Sequence, residues 1–114
     1  MSQDWNAYRT EVMNTVGAFA KQSPDTLRGL MTMDGAGEKT GHLTPKLHEL
    51  IALAVAVTTR CDGCIAMHTK KAVEHGATIG EISEALGVAV ALNAGAALTY
   101  SARVLDAHAQ LQNA

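Results

Sequence analysis

A chain of 114 residues with a formal net charge of -2 and a pI of about 6.2 is expected to form one domain spanning 1–114, and nothing in its charge points to nucleic acid or an acidic membrane surface. The start, "MSQDWNAYRT", lacks a basic segment followed by an apolar run. The longest apolar stretch, "LIALAVAV" at 50–57, falls well short of the roughly 20 residues a membrane span needs, so a soluble, cytoplasmic protein is expected.

Alanine is abundant, aromatics make up 4%, and the two prolines are Pro24 and Pro45, a composition that suits helices in close contact. No segment alternates with the period of a strand, so the expected class is all-α with about six helices. Trp5, Tyr8, Val12, Val16 and Phe19 recur three and four apart and predict a first helix from about Gln3 to Lys21. "SPDTLRGLM" supplies Ser23 as N-cap, Pro24 as first helical residue and Asp25 in the first turn, which predicts a short second helix. "DGAGEKTGH", 34–42, reads as a loop. Thr44 and Pro45 then open a third helix, apolar on nearly every side after Glu49, and such a helix suggests oligomer packing as well as a core. After a break near Thr59 and Arg60, a fourth helix carries the cysteines and stops at Gly76. "TIGE", 78–81, is a capping box for a fifth helix to about Leu92, and "NAGAALTYSARVLDAHAQL" supplies a sixth.

The chemistry concentrates in "TTRCDGCIAMHTKKAVEHG", 58–76, which holds both cysteines. Two cysteines are no secreted disulfide framework, and inside a cell such a pair more often catalyses or binds metal. On a helix starting at about Cys61, positions 61, 64 and 68 share one face, and an i,i+3 cysteine pair lies within the roughly 4.4–6.8 Å Cα separation that a disulfide can close. The positive end of the helix favours a Cys61 thiolate, whereas His68, one turn beyond Cys64, favours proton removal there. The preferred assignment is Cys64 attacking and Cys61 resolving. Zinc is the rival reading, but His75 stands about 10.5 Å along the axis from His68 and no second CxxC completes a set of four ligands. Two inert core thiols are the bland alternative.

Glu49 also has two readings. It can complement the helix dipole from the first turn after Thr44 and Pro45, or, on an antiparallel return of the cysteine helix, it can hold His68 as a base. His42, His48 and His108 read as ordinary polar positions, with His48 the nearest of them to Glu49.

Glu49, Cys61, Cys64 and His68 together write E-x11-C-x2-C-x3-H, which resembles the core signature of the AhpD-like branch of the carboxymuconolactone decarboxylase family. "TIGEISEAL" and the Ala/Gly-rich helix after it extend the likeness across roughly 44–100, and Gly63 stands where the hydroperoxidases often have a histidine. The resemblance implies a single-repeat all-helical domain acting as a thiol-dependent peroxidase or disulfide reductase; on the residues themselves, no cofactor or metal is expected. Glu49 and His68 would relay a proton, Cys64 would attack a hydroperoxide, and Cys61 would close the disulfide. No flavin or nicotinamide fingerprint is present, so an external dithiol reductant or redox protein is expected as partner, and the resemblance further implies a homo-oligomer, commonly a hexamer. A decarboxylase-type lyase, the family's other named activity, and a non-catalytic helical oligomer are the alternatives.

Overall fold

Five α-helices, and no strand, occupy the described residues, 2–114, of a computed structural model: α1 (Trp5–Gln22), α2 (Pro24–Thr40), α3 (Pro45–Thr59), α4 (Asp62–Glu74) and α5 (Ile79–Gln112). Their starts follow local chemistry. Asp4 accepts from the Ala7 amide at α1, Thr44 from Leu47 at α3, and Thr78 and Glu81 exchange bonds as a reciprocal capping box at α5.

Two expected boundaries move. The stretch expected to be a loop, 34–42, is helical through Thr40, and α2 ends on Gly41 in the left-handed conformation with φ 68°. Helical glycines each cost about 1 kcal/mol relative to alanine, yet Gly37 has a use: the His48 ring of α3 rests on it, and a Cβ there would come within 2.8 Å of His48 Cε1. His48 thus packs on α2. The expected fifth and sixth helices are one continuous α5 of 34 residues, so the helix count is five. Asn93, which read as a break, donates to the Ala89 carbonyl within its own helix and to Thr58 Oγ1 of α3, so its amide is satisfied without interrupting α5.

Helix α3 is central. It packs against α4 on one side and α5 on the other, while α1 lies on α4 and α2. Lys46 pairs with Glu81 at 2.8 Å where α3 and α5 begin, and Thr58 meets Asn93 twelve residues further along both, so these helices run parallel. The Lys46 ammonium, and then the Thr78 amide, hold the Glu81 carboxyl below its ordinary value. The fully buried positions are Leu53, Ala56, Ala66, Ala72 and Ala89; four of the five are alanines, so helix backbones approach closely with little side-chain volume between them.

Much apolar surface stays uncovered. The chain exposes 8712 Å², against roughly 6,000 Å² for a compact monomer of its mass, and its radius of gyration is 18.9 Å where about 13 Å is usual. Leu47, Ile51 and Val55 form one open face of α3, and Val16 and Phe19 leave the far end of the α1 stripe open. Past Asn93, α5 outruns α3, and its residues Leu98, Tyr100, Val104 and Leu105 are all exposed. The longest uninterrupted apolar run is 50–57, yet α5 as a whole is, by length and composition, apolar enough to cross a membrane, and only 6% of its most apolar window is buried.

The Gly37–His48 contact gives the reassigned part of α2 a direct check. In a His48→Ala background, Gly37→Ala is expected to stabilise the protein by about 0.5–1 kcal/mol through helix propensity. With His48 present, the same change should lose that gain to the clash. Chemical denaturation of the four variants should return a coupling of about 1 kcal/mol or more, and additive effects would contradict the contact.

Candidate active site

The reversal between α3 and α4 is made by very few residues. Arg60 takes the left-handed conformation, φ 56° and ψ 49°, and its amide and that of Cys61 both donate to the Ala56 carbonyl, closing the end of α3. Cys61 then serves as N-cap of α4, one residue earlier than the helix itself. Its Sγ accepts the Cys64 amide at 3.1 Å. The same residue thus finishes one helix and starts the next.

Cys61 and Cys64 are joined by a disulfide, with Cα atoms 5.2 Å apart, inside the range that disulfides usually span. Both cysteines are half-buried. The sulfur of Cys61 thus caps the positive, N-terminal end of α4.

Glu49 and His68 meet across the α3–α4 pair. His68 Nδ1 donates to Glu49 Oε2 at 2.6 Å, and the side chains retain 21% and 13% of their exposure, so water competes weakly for the bond. Glu49 is the fifth helical residue of α3, beyond the first turn, which contains no acid; the dipole reading placed it too early. With Nδ1 protonated toward the carboxylate, Nε2 is the ring nitrogen left to accept a proton. His68 stands one helical turn from Cys64 on α4.

The other singled-out residues go elsewhere. His75 is the C-cap of α4, and no group of three or more His, Cys, Asp or Glu side chains among the described residues is arranged to hold a metal ion. A Cβ added at Gly63 would stand 3.7 Å from Val12 Cγ1, so position 63 looks onto α1. The break expected near Thr59 and Arg60 is where the chain reverses, with Arg60 as its pivot; its left-handed conformation carried no signal of its own, because "TTRC" contains neither the glycine nor the asparagine that usually marks such a helix end.

The sequence pattern of the carboxymuconolactone decarboxylase family matches residues 24–107. An uncharacterized protein of Haemophilus influenzae is 45% identical over 108 residues, covering 95% of this chain and 96% of its own length. One from Cupriavidus necator is 30% identical over 105 residues, covering 92% and 93%. Among solved structures, the apo form of a carboxymuconolactone decarboxylase family protein from Legionella pneumophila superposes with a TM-score of 0.74 at 35% identity, over 89% of this chain and 90% of that one.

Proposed function

Because this chain belongs to the carboxymuconolactone decarboxylase family, which includes both peroxidases and decarboxylases, and bears a closed dithiol beside a Glu–His pair, we propose that it is a thiol-dependent peroxidase or disulfide reductase of the AhpD-like branch. The observation that carries the reading is the 2.6 Å bond from His68 Nδ1 to Glu49 Oε2, which orients a base one helical turn from Cys64. A lyase acting on a lactone acid has no need of a reversible cysteine pair, so the CxxC favours redox chemistry.

In the proposed cycle, His68 Nε2 takes the proton of the reduced Cys64 thiol, and the thiolate attacks the terminal oxygen of a hydroperoxide. The O–O bond breaks, the alkoxide leaves as alcohol with the proton returned from His68, and Cys64 becomes a sulfenic acid. The Cys61 sulfur then attacks Cys64, water departs, and the disulfide forms. One hydroperoxide and two thiols give one alcohol, one water and one disulfide. An external dithiol of a small molecule or redox protein reopens the bridge by exchange. A pair that must be re-reduced in every turnover suits the reducing cytoplasm, where we place the protein.

The active form is a homo-oligomer, in our reading a hexamer built from dimers. Its support is the row of exposed apolar side chains on α3 and on the far half of α5, in a chain whose total exposed surface is above that of a compact monomer of its mass by more than the roughly 800 Å² per partner that a standard interface removes. The same surplus explains why α5 can be as apolar as a membrane span in a protein read as soluble.

Pre-reduced protein mixed anaerobically with an alkyl hydroperoxide should form the Cys61–Cys64 disulfide in one fast phase, seen by stopped flow and mass spectrometry. Cys64→Ser should abolish turnover, and Cys61→Ser should allow a single stoichiometric round ending in a trappable sulfenate on Cys64. A sulfenate on Cys61 in the Cys64→Ser protein would reverse the roles, and no reaction with peroxide or disulfide in any form would remove the redox reading.

Glu49→Gln should slow alkylation and peroxide reduction at pH 7 by roughly tenfold to a thousandfold while leaving the fold intact. Above the free thiol value of about 8.5, hydroxide supplies the thiolate and much of the loss should be recovered. A wild-type rate at pH 7 would reduce Glu49 to a structural partner of His68.

Light scattering at micromolar concentration should return about six times the 11.9 kDa chain mass. A mass near that of one chain would contradict the assembly.

A further inference from the structure

A cleft of about 430 Å³ runs between α1 and α4, a size within the roughly 300–1,000 Å³ of small-molecule sites. Trp5, Ile65, Ala66 and Val73 give it apolar walls, and Arg9 and Lys70 supply its cations. At 3.6 residues per turn, the α4 positions lining it centre about 170° around the helix from Cys64 and His68, so it is distinct from the dithiol.

The two cations differ. Lys70 is paired with Glu74 at 2.7 Å, whereas Arg9 has no carboxylate within 4 Å among the described residues. The guanidinium of Arg9 is nevertheless held in place: Nε donates to the Ala66 carbonyl at 3.3 Å, and Nη1 and Nη2 donate to Asn6 Oδ1 at 2.9 and 3.1 Å. Neutral acceptors thus orient a permanent cation without cancelling its charge, and two of its five N–H groups stay free. An apolar cleft bordered by a fixed, unneutralised cation is complementary to a molecule with an apolar body and one negative end.

We propose that this cleft binds a small amphipathic carboxylate, its chain lying against Trp5, Ile65 and Val73 and its carboxylate accepting from the free N–H groups of Arg9. The site is independent of the peroxidase reading, because binding requires neither cysteine.

The molecule carries its own reporter, since Trp5 is the sole tryptophan of the chain. The full-length protein, oxidised and then reduced, is titrated with sodium octanoate below its micelle concentration, with 1-octanol as the neutral counterpart, while Trp5 emission is followed. A saturable change with octanoate, at least tenfold weaker with octanol and equal in both redox forms, is expected. Arg9→Met should erase the preference for octanoate. Because Arg9 also ties α1 to α4, a second variant guards against misfolding: Val73 is 62% exposed, so Val73→Glu should leave the circular dichroism unchanged and weaken octanoate at least tenfold by charge repulsion. The proposal is overturned by the absence of a saturable signal, by equal affinity for the two probes in the unaltered protein, or by an Arg9→Met protein that still prefers octanoate. It is also overturned if Trp5 already emits as a buried indole in the ligand-free assembly and ignores octanoate, which would put a neighbouring copy in the cleft.

Discussion

The left-handed turn at Arg60 is the constraint on which the site rests. A single residue outside the helical region, followed by Cys61 in an extended conformation, is all that separates α3 from α4. With so short a connection the second helix must return alongside the first, and that return brings His68 to Glu49 across a separation of 19 residues in sequence. For a residue with a Cβ the left-handed conformation costs roughly 1–2 kcal/mol. The two amides that close on the Ala56 carbonyl offset it, as does the packing of Leu53 and Ala56 against the neighbouring helices.

The polar site is built in the part of the molecule where the chain is best packed. Leu53 and Ala56 of α3 and Ala66 and Ala72 of α4 are buried on the two helices that carry Glu49 and His68. Alanine at these positions lets the helix axes approach, and close axes are what allow a carboxylate and an imidazole to bond directly. The outer helices contribute less: α1 and α2 have no fully buried residue, and α5 has only Ala89. Close packing is thus concentrated around the Glu49–His68 pair, while the outer helices keep most of their apolar side chains exposed.

What could be read from the sequence was what depends on near neighbours in the chain. Thr44 before Pro45, and Thr78 with Glu81, name their helix starts because a cap bonds within three residues of itself. The spacing of Cys61, Cys64 and His68 was legible for the same reason, and Glu49 became legible once an antiparallel return was assumed. The failures all involve tertiary contacts. The run 34–42 looks like a loop because Gly35, Gly37 and Gly41 disfavour helix, but only Gly41 ends one; Gly37 stays helical under the His48 ring. Asn93 looks like a break until its amide is seen bonded to Ala89 and Thr58. Arg9 carried no signal at all, because nothing in the sequence places the Ala66 carbonyl beside it 57 residues later.

The sulfur cap on α4 bears on what happens when the Cys61–Cys64 bridge opens. The Cys61 sulfur accepts the Cys64 amide in the bridged form, and a free thiolate at the same place is an acceptor too, drawn more strongly to the same amide by its full charge. Opening the bridge therefore does not ask the first turn of α4 to fray, and closing it does not ask that turn to form. The cap itself therefore demands no backbone rearrangement between the two oxidation states. In the proposed cycle, a reductant would thus find at the α4 cap no movement to expel it once its electrons are delivered, and its release would rest on weak binding.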